Sequence, residues 1–250
     1  LDKKIMTNYQ IRLQYIGTRY SGWQIQKDRQ TIQGCIIKTL HQITGETASI
    51  IGAGRTDSGV HAMGQVAHFK LSKMIPTTKL KSSLNGVLPW DIRIQQVKHV
   101  HANFHSQKDA FKKRYEYRIY NGRILSPFLH GYVHHTRARL NLEAMQESMQ
   151  YLKGSHDFSS FAATATQVKN RTRTIFLSQI VNRGNHIRYQ VEANGFLYHM
   201  VRNIVGTLLE IGLNRLKPSD ISRIMEFKNR KKAGPTAPPH GLYLMKVFYK

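Results

Sequence analysis

Along the first half of the chain, apolar and polar positions alternate in short, well-separated blocks. Tyr9, Ile11, Leu13 and Tyr15 take turns with Gln10, Arg12 and Gln14, the period-two pattern of a half-buried strand. Thr31 stands where it can cap a helix whose apolar face is Ile32, Cys35, Ile36, Leu40 and Ile43. An apolar run closing at Ile50 and Ile51 leads into a glycine-rich loop. Residues 65–71 then read as a strand with Ala67, Phe69 and Leu71 on one face, 77–84 as a helix, and 92–100 as extended chain. The order is β, α, β, β, α, β.

After residue 105 the same order returns. Phe111, Tyr115, Tyr117 and Ile119 alternate with Lys112, Arg114, Glu116 and Arg118. Asn141 opens a helix with Leu142, Met145, Met149 and Leu152 inside and Gly154 at its end. Strands are expected over 172–181 and 187–193, helices over 199–211 and 218–227, a breaker-rich loop over 229–240 and a last strand over 242–249. The pattern predicts an α+β chain of two ferredoxin-like (split βαβ) domains, residues 1–105 and 106–250, with antiparallel sheets and helices packed on one face.

Composition adds the partner. Thirty-eight Lys and Arg against 14 Asp and Glu leave a formal charge of +24 over 250 residues, a field that attracts phosphate. Residues 1–105 carry +9 of it and residues 106–250 carry +15, so both halves are expected to meet the partner. No apolar run reaches the roughly 18 residues of a membrane span and no secretory leader pattern opens the chain, so the membrane is not the expected partner. A single cysteine, Cys35, excludes an internal disulfide framework and fits a reducing, cytoplasmic compartment. Basic residues crowd at Lys112, Lys113 and Arg114 beside tyrosines, at Lys169, Arg171 and Arg173, and at Arg230, Lys231 and Lys232. Cations interleaved with aromatics suit RNA, neutralising its backbone while its bases stack; a solvated charged face is the plainer reading of any one cluster.

The stretch that carries chemistry is GAGRTDSGVHA, residues 52–62. Its glycines shape a turn, and Asp57 is the only acidic residue between Glu46 and Asp91, two positions from Arg55. Electropositive surroundings favour the carboxylate form, suited to a nucleophile or an electrostatic stabiliser; an Asx-turn that only shapes the loop fits the same spacing. The loop lacks the endings of a Walker or a dinucleotide-binding motif. His99, His101, His105, His134 and His135 have no carboxylate or cysteine complement in the pattern, so no metal is expected.

GAGRTDSGVHA, continued by Gln65, Val66, Ala67, His68 and Phe69, closely resembles the catalytic segment of the tRNA pseudouridine synthase A family. The likeness runs on through YIGTRYSGWQIQ (15–26), KKRYEYRIYN (112–121), HDFSSFA (156–162), FLYHMVRNIVGTLLEIG (196–212) and APPHGLYL (237–244). The resemblance implies a cofactor-free homodimer of two ferredoxin-like domains that isomerises uridine to pseudouridine at positions 38 to 40 of the tRNA anticodon arm. By the same resemblance, Asp57 is the essential catalytic aspartate and Arg55 assists base extrusion and tRNA contact. Tyr115 stacks on the target uracil, Arg202 pairs with the catalytic carboxylate, and Leu244 helps wall the pocket. One departure stands out: Ser106 and Gln107 follow Phe104 and His105 where the family typically has Ala-Arg, removing a tRNA contact. The alternatives are a catalytically silent tRNA- or rRNA-binding paralogue, against which the intact Asp57 argues, and a base-excising glycosylase.

Overall fold

The computed structural model describes residues 6–166 and 168–250. They form an α+β fold of mainly antiparallel strands that divides into two units: the described residues up to Phe111 together with Leu244–Lys250, and Lys112–Tyr243.

In the first unit, β1 (Thr7–Tyr15) keeps its alternation, with Tyr9, Ile11, Leu13 and Tyr15 all buried. α1 (Ile32–Thr44) starts where the Thr31 hydroxyl accepts from the Gly34 N–H and stops at Gly45, which is left-handed at φ 73°. Its buried face is Ile32, Gln33, Ile36, Thr39 and Leu40, so Gln33 replaces the expected Cys35, which is only half-buried. Gln33 can lie inside because both ends of its amide are hydrogen-bonded. Nε2 donates to the Ile50 carbonyl at 2.7 Å, and Oε1 accepts from the Ile25 N–H and from Gln24 Nε2, each at 2.8 Å.

β2 (Ile51–Gly52) pairs with β3 (His61–Leu71), and α2 (Thr77–Val87) leads to β4 (Ile92–Val100). β3 begins four residues before the expected start because it is buried along nearly its whole length, which erases the alternation a half-buried strand shows. β1 lies between β3 and β4, antiparallel to both. α1 packs with α2, and α2 against β4.

The second unit contains β5 (Ala110–Tyr120) from Lys112 on, β6 (His134–His135), α3 (Leu142–Ser148), β7 (Gly154–Asp157), β8 (Thr172–Arg183), β9 (His186–Ala193), α4 (Met200–Gly212) and α5 (Asp220–Glu226). Its strand order is β5–β9–β8–β7, antiparallel throughout, with β6 parallel beside β5. The helix expected to run from Asn141 to Gly154 is shorter. The Met149 N–H is shared by the carbonyls of Gln146 and Glu147, which tightens Met149–Leu152 into a 3₁₀ turn. At the start of β5, Phe111 is exposed despite its place in the alternation, while Tyr115, Tyr117 and Ile119 are buried as expected. The last strand, β10 (Leu242–Tyr249), belongs to the first unit from Leu244 on, where it lies beside β3. No helix among the described residues is long and apolar enough to cross a membrane.

Candidate active site

The loop carrying Asp57 is held from beneath by the segment that follows β1. Ala53 donates its N–H to the Val66 carbonyl at 2.7 Å, and Gln65 Nε2 donates to the Gly54 carbonyl at 2.8 Å, which fixes the entry to the loop. Thr56 is buried: its carbonyl accepts from the Trp23 N–H at 3.0 Å, and its hydroxyl shares a 2.7 Å hydrogen bond with the Tyr15 hydroxyl. Tyr20 holds the far side. Its carbonyl accepts from Ser58 Oγ at 3.2 Å and from the Gly59 N–H at 3.3 Å. With Thr56 fastened inward, the chain presents Arg55 to solvent and leaves Asp57 half-buried.

Glycines let the two segments meet. A Cβ on Gly17 would lie 1.9 Å from the Val60 carbonyl oxygen, and one on Gly22 would lie 2.6 Å from that of Thr56. Gly22 is also left-handed, at φ 87°. Burial pushes the Tyr15 hydroxyl pKa up, against the opposing hydrogen bonds to Thr56 and Gln65, so it stays protonated. Gln65 Nε2 also approaches the Tyr15 oxygen, at 3.5 Å. Neither Tyr15, Thr56 nor Tyr20 was singled out by spacing. The only sequence signal was that 15–26 and 52–62 are two of the segments that carry the family likeness.

Leu244, also in the first unit, is fully buried in β10. Ser106 is fully buried too: its hydroxyl donates to the Ile51 carbonyl at 2.6 Å, and its N–H donates to His68 Nδ1 at 3.2 Å. Burial, and after it the neighbouring His105 charge, pushes the His68 pKa down, consistent with a neutral ring accepting at Nδ1. Ser106 therefore ties the segment after β4 to both β2 and β3, whereas Gln107 beside it is exposed.

In the second unit, Tyr115 is buried on β5 and meets the ring of Phe196 edge-on, at 5.0 Å between centroids. Arg202, near the start of α4, donates from Nε to the Ala237 carbonyl at 2.8 Å and accepts the Ala237 N–H at its own carbonyl at 3.1 Å. Lys112 and Arg114 share one carboxylate. Lys112 Nζ lies 2.5 Å from Glu192 Oε2, and Arg114 Nε donates to Oε1 at 2.6 Å, Glu192 being Arg114's register partner on β9. Burial alone would raise the Glu192 pKa, but these two cations outweigh it and hold the carboxyl below its usual range.

Lys113 points elsewhere. Burial first, then the charge of Arg173, lowers its pKa, so two cations stand close there. Arg173 is oriented by bonds to the Asn170 and Thr172 carbonyls at 2.9 and 2.6 Å, and Lys169 and Arg171 precede it on the approach to β8. The structure thus gathers Arg55 and Asp57 in one loop, Lys112 and Arg114 on Glu192, and Lys113 near Arg173. Among the described residues no three His, Cys, Asp or Glu side chains gather as a metal ion would require.

An electropositive α+β protein with one carboxylate mounted on a braced loop has the make-up of an RNA-modifying enzyme. Residues 12–107 and 148–250 match the family described as tRNA pseudouridine synthase. The chain belongs to this family, the tRNA pseudouridine synthases, which are isomerases. It is 45% identical over 244 residues to tRNA pseudouridine synthase A of Thermoanaerobacter sp. (strain X514), a match covering 98% of this chain and 100% of the relative. The proteins of the same name from Caldicellulosiruptor saccharolyticus and Acetivibrio thermocellus are 44% and 41% identical over equal coverage.

Proposed function

We propose that the protein converts uridine to pseudouridine at positions 38 to 40 of the tRNA anticodon arm, with Asp57 as the essential catalytic carboxylate and the target base flipped out of its stack. The observation that carries this is the mounting of Asp57: a half-buried carboxylate next to an exposed arginine, on a loop whose neighbour Thr56 is locked to the core. Isomerisation breaks the C1′–N1 bond, turns the detached uracil and forms C1′–C5, so it moves no net electrons, and the proton lost from C5 is matched by one taken up at N1. Positioning is the main demand. Extruding the base costs a few kcal/mol, which ring stacking and phosphate contacts offset. Asp57 then attacks C1′ or C6, or removes a sugar proton to give a glycal, and all three routes use the carboxylate in its ionised form.

Tyr115, Arg202, Leu244 and Arg55 take the roles that the family resemblance gives them. Lys113, Lys169, Arg171 and Arg173 contact the tRNA backbone, and Lys112 and Arg114 contribute the one charge that Glu192 leaves over. The working form is a cytoplasmic homodimer that needs no cofactor.

The test is tritium release from unmodified tRNA carrying C5-tritiated uridine, with free uracil followed in parallel. Wild type is expected to release tritium without uracil. Asp57→Asn is expected to release none while binding tRNA almost as well, because one carboxylate among many cations contributes little to affinity. Free uracil would identify a glycosylase; tRNA binding without either product would identify a silent paralogue.

A further inference from the structure

The chain has two tryptophans in opposite settings. Trp23 is 2% exposed, whereas Trp90 is 62% exposed, at the corner between α2 and β4. A lone exposed apolar side chain needs no explanation by itself. The mount under Trp90 does. Trp90 and Asp91 are the central residues of a turn closed by the Ile92 N–H on the Pro89 carbonyl at 3.0 Å. The Arg93 guanidinium donates to the carbonyls of Leu88, Pro89 and Ile92 at 3.3, 2.6 and 2.7 Å, tying both ends of that turn together.

Asp91 is buried, accepts the Tyr20 hydroxyl at 2.6 Å, takes the Ile16 N–H at its carbonyl at 3.0 Å, and pairs with Arg19 at 3.5 Å. The backbone that carries the indole is therefore held in place, so a ligand meeting the ring has no turn to order first. The same Tyr20 that fastens Asp91 also holds Ser58 and Gly59 of the Asp57 loop, so the turn and the loop share one brace within the first unit.

What this surface fits follows from charge. Arg19, its side chain 58% exposed, brings a guanidinium to the same brace, and the whole chain carries +24. A polyanion with flat, apolar faces complements both the indole and the positive charge. We propose that Trp90 is a stacking platform for an unpaired base of the tRNA substrate, with Arg19 meeting the adjoining phosphate, a contact separate from the residues that handle the target uridine. The proposal rests on the reading of the protein as a tRNA-binding enzyme.

Trp90 carries its own probe. The difference between the wild-type and Trp90→Phe emission spectra isolates the Trp90 signal, and titration with unmodified tRNA should quench it in step with binding measured on filters. Trp90→Ala should weaken tRNA affinity roughly 5- to 150-fold, the span of one lost base stack, and Trp90→Phe should restore most of it. Arg19→Gln should lower the salt slope of binding by about one unit. Met74→Ala, at a residue 72% exposed elsewhere in the same unit, should bind as wild type.

Three results would overturn the proposal: Trp90 emission unchanged at saturating tRNA, Trp90→Ala binding as wild type, or an emission change that follows protein concentration without RNA. Failure of the catalytic reading is distinguishable, because it would show as wild type that releases no tritium, whereas every Trp90 outcome is read in binding.

Discussion

Removing one oxygen beneath the Asp57 loop should be felt both in stability and in turnover. Tyr15 and Thr56 are 4% and 6% exposed, and their hydroxyls meet at 2.7 Å. Tyr15→Phe deletes that bond and strands the Thr56 hydroxyl away from water. A net hydrogen bond is worth about 1 kcal/mol and a stranded buried hydroxyl costs about 1–3 kcal/mol, so a loss of about 1–3 kcal/mol is expected. Thr56→Val, nearly isosteric, leaves the Tyr15 hydroxyl with only the long 3.5 Å approach of Gln65 and should cost a similar amount.

The double variant removes both oxygens and strands neither. Its loss should fall short of the sum of the two singles by about 1–2 kcal/mol, read from urea unfolding of all four proteins. Because Thr56 precedes Asp57 directly, either single variant should also lower turnover by about tenfold, as a shift of about 1.4 kcal/mol would, with the tRNA KM moving much less. Additivity within about 0.3 kcal/mol would show that the two hydroxyls do not act as a pair. Turnover at the wild-type rate in Tyr15→Phe would show that Asp57 is positioned by something else.

Two further outcomes follow from close contacts elsewhere. Gly17→Ala would put a Cβ 1.9 Å from a backbone oxygen of Val60, which cannot yield as a side-chain end can; the variant should lose roughly 1–3 kcal/mol or more by thermal melting and most of its tritium release. Glu192→Gln should lose about 1–2 kcal/mol, a figure reduced for the solvent exposure of Arg114, while freeing one net positive charge and steepening the salt dependence of tRNA binding by about one unit. The sign of its pH dependence is set by the depressed Glu192 pKa: the carboxylate's contribution is complete above the unfolded value of about 4.3 and disappears as pH falls through the lower folded value. Wild type should therefore lose its advantage over Glu192→Gln in acid, and an advantage that persisted at low pH would contradict the ion pair.

The strands and helices were largely legible from the chain, because alternation in β1 and β9 and the 3.6-residue repeat of α4 are properties of neighbouring residues. Asp57 was legible as well, as a lone acid in a glycine-shaped loop. What the tertiary structure alone decided is which polar groups are allowed inside. Gln33 is buried because Ile50, seventeen positions away, offers it a carbonyl, and the half-buried Cys35 lost the place that the helical repeat assigned to it. Lys112 and Arg114 read as free RNA ligands until β9 brings Glu192 opposite them, 80 and 78 positions along. Tyr15 and Thr56, 41 positions apart, looked like an ordinary strand residue and a loop residue. Hydrophobic burial is written in local periodicity, but a buried hydroxyl, amide or carboxylate is tolerated only where a partner completes its hydrogen bonds, and that partner comes from strand register and loop docking that no short stretch of sequence contains.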